Sequence, residues 1–395
     1  MWLTLLLGAK SIELDLLLNA FGSAEEVYRK TKSELISLGG LKPETVNLII
    51  RSRSLDDAKK EIENCRRLGV RLVTSYDEDF PVRLLNIYCP PHILYVRGEL
   101  GNIDEELCIS VVGTRSCSEY GVGAARFFGQ GLAGLGVTVV SGGARGIDTA
   151  ALRGANEAYG RTIAVMGCGV NVVYPPENKG FFKEIEKNGA IISEFPLSTS
   201  PLPGNFPIRN RIISGLSQGV LVVEAPEKSG ALITARNALE QGRDIYVVPG
   251  RITSRRSEGS NNLIKEGAYL VTNADDIVRQ YRYFIPVMRE NLKRRLMEYE
   301  REPRENAEPK TEERVSKEEV RKAVLSEEPP KKTVPLEKYE GAERDVLSLL
   351  TQSDMTPDEM LVNLNISAPE LNTALITLEM EGIISKKIDK RYSII

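Results

Sequence analysis

A chain of 395 residues has room for two or three domains and for sizeable cores. Its 52 basic and 55 acidic side chains leave a net charge of -3, which excludes a polycation and confines any nucleic-acid site to a local patch. Five cysteines at 65, 89, 108, 117 and 168 lack a CxxC spacing, and His92 is the one histidine, so no metal and no cofactor is expected. Odd, scattered thiols fit a reducing, cytoplasmic setting.

The N-terminal stretch is apolar but broken by Lys10, Glu13 and Asp15. That predicts a buried helix, not a signal peptide, and no run is long enough to span a membrane. Residues 1–66 read as an all-helical domain. Ser23-Ala24-Glu25-Glu26 is a capping box, and Leu38-Gly39-Gly40-Leu41-Lys42-Pro43 sets a turn between two helices. A small packing domain is the favoured reading, with a SAM or helix-hairpin-helix-like backbone binder as the alternative. Leu72–Ser75 is a short strand, and 76–91 an irregular connection.

Residues 67–286 read as the second domain, in which buried strands alternate regularly with helices from about 107 to 278. Strands are expected at 109–112, 137–140, 162–166, 190–193, 219–223, 244–248 and 269–271. Helices are expected at 119–135 (apolar at Val122, Phe127, Leu132 and Leu135), 149–159, 181–188 and 232–241. The fold class is α/β: a doubly wound, extended Rossmann-like, mostly parallel sheet. Residues 287–338 are a charged linker of Glu, Lys, Arg and Pro, its first part a candidate charged helix. Residues 339–395 read as a winged-helix domain: a helix at 343–350, capping boxes at Thr356–Glu359 and Ser367–Glu370, a helix to Met380 ended by Gly382, and a two-stranded wing. The third helix offers Glu370, Asn372, Thr373, Thr377 and Glu379, a poor set for reading a duplex. The wing is basic at Lys386, Lys387, Lys390 and Arg391. Protein contact and weak duplex contact stay open for this unit.

The chemistry is expected where the parallel strands end, because glycine turns and helix starts there aim N–H donors at a ligand. The first turn, Gly113-Thr114-Arg115, is no G-x-G-x-x-G, and the second strand ends in Ser141-Gly142-Gly143 without the acid that holds a ribose. No G-x-x-x-x-G-K-[ST] occurs either, so NAD and P-loop chemistry are disfavoured. The loops supply Arg115, Arg145, Tyr174, Lys179, Phe206, Arg209, Asn210, Arg211 and Thr234, then Arg251, Arg255 and Arg256. Cations with aromatic platforms suit a single strand, where charge tracks phosphates and each stacked base adds about 1–3 kcal/mol. Arg115, Arg145, Arg209 and Arg211 are expected to line one trough.

Plainer roles compete. Asp148 opens a helix and reads as an N-cap. Arg211 could pair with Glu194 or Glu224. Arg153 and Arg236 read as surface decoration, Tyr174 as a core candidate, and His92 as packing without a catalytic companion. Asn205–Asn210 reads as a long irregular loop, which favours function.

Gly113-Thr114-Arg115…Tyr120-Gly121, Ser141-Gly142-Gly143-Ala144-Arg145-Gly146-Ile147-Asp148, Tyr174-Pro175…Asn178, the run Asn205 to Ser217, and Ser229-Gly230-Ala231…Thr234-Ala235 together closely resemble the DNA processing protein A (DprA, or Smf) family over about residues 70–285. The flanking helical and winged-helix units match its fuller architecture less specifically. The resemblance implies a core that binds single-stranded DNA without cutting it, a homodimer formed through that core, and loading of RecA recombinase onto incoming strands in natural transformation. Carried onto this chain, the pocket includes Arg115, Gly143, Arg145, Phe206, Arg209, Asn210 and Arg211. The loops add Gly113, Ser141, Gly142, Lys179 and Thr234. The competing function is a nucleotide-derivative hydrolase of the phosphoribohydrolase kind. Against it, the second turn lacks P-G-G-x-G-T-x-x-E, and Glu240 is the nearest candidate acid.

Overall fold

Nine strands form one sheet: β1 (Arg71–Thr74), β2 (Ile93–Gly98), β3 (Cys108–Val112), β4 (Thr138–Ser141), β5 (Thr162–Val165), β6 (Gly189–Ser193), β7 (Gly219–Val222), β8 (Asp244–Val247) and β9 (Tyr269–Leu270). Their order is β1-β2-β6-β5-β4-β3-β7-β8-β9. From β6 to β9 every pairing is parallel, while β1–β2 and β2–β6 are antiparallel. The computed structural model describes residues 1–290, 292–293, 338–339, 341–351, 355–364, 366–381, 383–386 and 391–394. The chain divides into two compact units, the first ending at Lys310 and the second beginning at Thr311.

The doubly wound expectation holds, and the sheet is wider than the strand pattern alone suggests. The additional strand, β2, joins β1 to the parallel sheet and is buried over its first four residues. Successive residues of β3 serve opposite faces: Ile109 and Val111 pack in one core layer, Cys108 and Val112 in the other. A strand covered on both sides has no polar face to show, which is why it reads as a continuous apolar run.

Helices α8 (Glu119–Gly134), α9 (Ile147–Glu157), α10 (Lys179–Lys187) and α14 (Ala274–Val278) pack in one core layer; α7 (Val82–Leu85), α11 (Asn205–Gly215), α12 (Gly230–Glu240) and α13 (Glu258–Lys265) pack in the other. Phe128 and Leu132 of α8 are fully buried, each worth about 1.5–3 kcal/mol. The inward stripe of α8 is Gly121, Ala125, Phe128 and Leu132; Val122 and Phe127, expected inward from their spacing, are exposed.

Before the sheet stand six helices, α1 (Trp2–Leu7), α2 (Ile12–Phe21), α3 (Ala24–Arg29), α4 (Lys32–Ser37), α5 (Pro43–Arg51) and α6 (Asp56–Arg67), around Leu3, Leu17, Val27, Leu35 and Ile49. Pro43 opens α5, as expected. Ser23 caps α3 through the Glu26 N–H, but the reciprocal capping box forms instead at Thr31 and Glu34. These helices touch the sheet unit through polar contacts. Glu61 accepts from the Leu197 N–H at 2.7 Å, the Tyr76 hydroxyl donates to the Gly22 carbonyl at 3.1 Å, and Asp15 meets His92, which serves there as a packing contact between the two parts.

The second unit packs α15 (Gly341–Leu350), α16 (Pro357–Asn363) and α17 (Ala368–Met380) with the hairpin β10 (Ile384–Lys386) and β11 (Tyr392–Ile394) around Val346, Leu347, Met360, Leu371 and Leu378. Both capping boxes form, at Thr356–Glu359 and Ser367–Glu370. Arg391 of the wing pairs with Glu359 at 3.1 Å. Gly382, Lys387 and Lys390 lie outside the described residues, as does most of the charged 287–338 segment.

Candidate nucleic-acid interface

From β3 the connections wind outward through β4, β5 and β6 on one side and continue through β7, β8 and β9 on the other. The switch point of such a sheet, here between the carboxyl ends of β3 and β7, is where dinucleotides bind in related architectures. The protein fills it with its own anion. The buried Glu224 carboxylate accepts from the Ser118 N–H at 2.7 Å and the Ser118 hydroxyl at 2.9 Å, at the start of α8. A Cβ on Gly121 would lie 2.5 Å from that carboxylate. The helix terminus that would cradle a pyrophosphate is thus already occupied.

The open part of the edge lies over β5, β4 and β3. Phe206, half-buried in the first turn of α11, rests on Gly167, just past β5, with a Cβ there only 2.9 Å from its ring. Around it stand Tyr174, centroid to centroid 5.6 Å at 39°, the Arg115 guanidinium at 4.7 Å from the centroid, and that of Arg209 at 5.8 Å. Arg115 is exposed and offers an aromatic-backed cation to solvent. Tyr174 belongs to this aromatic cluster while also packing against the core.

The first two glycine turns touch. Gly146, at φ +80°, caps α9, and a Cβ there would lie 2.6 Å from the Thr114 carbonyl and 2.7 Å from that of Arg115; this is why glycine is required. Asp148, expected as the cap, instead lies one residue into α9, and its carboxylate accepts from the Ala144 N–H at 3.3 Å. Burial lifts this carboxyl from 3.8 to about 6, although Arg209 pulls the other way. Arg209 is pushed down to about 10, again chiefly by burial. Its Nη1 donates to the Gly142 carbonyl at 2.7 Å and also to Val165.

The expected trough of four arginines is therefore corrected. Arg209 is 3% exposed, and its Nη1 is held by the Gly142 carbonyl after β4 and by Val165 at the end of β5. Arg211, 4% exposed, points elsewhere and pairs with Glu194 at 2.7 Å. This settles the choice between Glu194 and Glu224. The region expected as an irregular loop, Asn205–Asn210, is the start of α11, and helix phase separates residues 209 and 211 by about 200°. Arg145 reaches the surface but is paired with Glu177. Lys179 is exposed at the start of α10.

The remaining candidates build the floor. Ser141 turns its hydroxyl to the Val111 carbonyl at 2.6 Å, and Thr234 is buried within α12. Gly113 lies against Ile147, and Gly143, at φ +62°, against Phe182. Asn210 donates to the Gly230 carbonyl at 3.2 Å. Asn178, not among the expected site residues, donates to Gly143 at 3.2 Å and to Thr149 at 2.7 Å, tying the loop after β5 to the turn after β4. Glu240 is exposed at the last position of α12, ten residues and about 15 Å of helix from the end that faces this edge. It is removed as the acid of a hydrolase centred here. Arg153 and Arg236 are exposed, as expected; Arg153 lies over Phe181 at 4.5 Å.

Residues 71–282 match the family described as DNA recombination-mediator protein A, and residues 327–387 match the DprA winged helix domain. The chain belongs to the DNA recombination-mediator protein A family. Protein Smf of Escherichia coli (strain K12) is 46% identical over 213 residues, which span 54% of this chain and 57% of that relative. Protein Smf of Synechocystis sp. is 30% identical over 392 residues, 98% of this chain and 95% of that one. The X-ray structure of DNA processing protein A from Streptococcus pneumoniae matches with a TM-score of 0.63 at 32% identity, covering 70% of this chain and 95% of that chain. Among the described residues no helix is long and apolar enough to cross a membrane.

Proposed function

We propose that this chain binds single-stranded DNA along the carboxyl edge of its parallel sheet and, without cutting it, hands it to a RecA-type recombinase during uptake and recombination of incoming strands. The observation that carries the reading is Phe206, a flat face held between Arg115 and Tyr174 on rigid elements. An aromatic platform beside a cation holds an unpaired base and its phosphate, and a base paired inside a duplex offers no free face to stack. The recombinase step rests on the family description, which names recombination mediation.

A homodimer formed through the sheet unit belongs to the same proposal. The edge strand β9 carries half-exposed Tyr269 and Leu270, a surface suited to a second copy. Five unpaired thiols, four of them buried, suit a reducing cytoplasm. The test compares single- and double-stranded oligonucleotides of one sequence by gel shift at two salt concentrations. Preferential retention of the single strand, weakening as salt rises, is the expected result. Equal affinity for both forms, or no shift with either, overturns it.

A further inference from the structure

Ile252 is 96% exposed, yet the loop that carries it is firmly anchored. Asn261 brackets the base of the loop, accepting from the Gly250 N–H at 3.0 Å and donating to the Gly250 carbonyl at 3.2 Å. Tyr120 donates to the Pro249 carbonyl at 2.8 Å, and the Ser254 N–H closes a turn on the Arg251 carbonyl at 3.0 Å. A large apolar side chain held in water on a pinned turn loses burial with no gain to folding.

Its neighbours are cationic. Arg251, Arg255 and Arg256 are exposed, residues 249–257 contain no acid, and among the described residues neither Arg251 nor Arg255 pairs with a carboxylate. Arg256 donates to the Ser116 carbonyl at 3.1 Å, which fastens this loop to the turn bearing Arg115. The loop follows β8, whose end lies four strand spacings, about 19 Å, along the edge from that of β5, where Phe206 rests.

Resting on the single-strand reading above, we propose that the 250–257 loop is a second station on the strand's path, where Ile252 enters the base stack and Arg251 and Arg255 hold the flanking phosphates. Proteins that kink a duplex insert an aliphatic wedge between its base steps beside cationic side chains, and an unpaired strand offers the same gap between neighbouring bases. Two stations on one edge set a minimum strand length and the line the strand follows, which a single platform does not.

The test uses the full chain and oligodeoxyadenylates of increasing length, with 2-aminopurine replacing adenine at successive positions. In the parent, 2-aminopurine is expected to brighten at one position where the stack opens, and Ile252→Ala is expected to abolish that signal. The double variant Arg251→Ala/Arg255→Ala is expected to bind long strands several-fold more weakly and the shortest bound strands as the parent does. Variants that match the parent at every length and every 2-aminopurine position overturn the second station while leaving the Phe206 site standing. A parent that binds no single strand overturns both readings. Weakening by the loop variants with none from Phe206→Ala supports the loop and displaces the platform.

Discussion

Arg211 and Glu194 pair inside the protein: one guanidinium nitrogen donates to both carboxylate oxygens, at 2.7 and 2.8 Å, and both side chains are 5% exposed. Glu194 also receives the Lys10 N–H at 3.4 Å, so the pair joins α11, the end of β6 and the N-terminal helices. Removing one partner leaves the other charged and dry. Arg211→Ala is expected to cost about 3–5 kcal/mol in urea unfolding. The double replacement Arg211→Met/Glu194→Leu is expected to recover most of that loss and to bind single strands like the parent, since the pair is scaffold.

Arg115 is the arginine that meets solvent beside Phe206. Arg115→Ala is expected to weaken binding of all sequences alike. The slope of log affinity against log salt is expected to flatten by about 0.7, the share of a single neutralised phosphate. Titrations by fluorescence anisotropy at several salt concentrations measure both.

Asp148 sets a pH dependence. Its carboxyl titrates near 6 in the folded chain and near 3.8 when free, so the folded state holds the extra proton between those values. The associated stability is fully present below about 3.8 and is lost as pH rises through about 6, a change on the order of 3 kcal/mol. Single-strand affinity is expected to rise as pH falls from 7.5 to 5.5, because a negative charge under the site is removed. Asp148→Asn is expected to flatten both curves, as followed by thermal unfolding and by binding across that range.

Gly142 lies between the two buried charges, where a Cβ would come within 2.4 Å of Arg209 Nη1 and 2.6 Å of Asp148 Oδ2. Both groups are buried and hydrogen-bonded, so shifting either one strains its contacts to Gly142 and Ala144. Gly142→Ala is expected to destabilise the fold by about 1–3 kcal/mol and to weaken single-strand binding by displacing Arg209 from beneath Phe206. Chemical unfolding and the same anisotropy titration read the two effects.

The alternation β3–α8–β4–α9 is legible in the sequence because buried parallel strands and their helices impose different periods on it. The edge at which Arg115 and Phe206 meet follows from the same topology. The roles of Arg209 and Arg211 do not. Pro203-Gly204 and Pro207 disguise α11 as loop, although Pro207 sits in the first turn, where its missing N–H costs nothing. Without the helix, the phase that turns Arg209 toward Gly142 and Arg211 toward Glu194 cannot be read. β2 is hidden between Pro90-Pro91 and Gly98, though Ile93-Leu94-Tyr95-Val96 carries a strand signal. The Glu224–Ser118 contact joins residues 106 apart in sequence, and no local pattern announces it.

Photo-crosslinking tests the central claim most directly. Single-stranded DNA carrying 5-iodouracil is irradiated with the full chain, and the linked peptides are mapped in the parent and in Phe206→Ala. Crosslinks at Phe206 or Tyr174 that disappear in the variant are the expected result. Crosslinks confined to residues 1–66 or 339–395, unchanged by Phe206→Ala, would contradict a strand held where β3, β4 and β5 end.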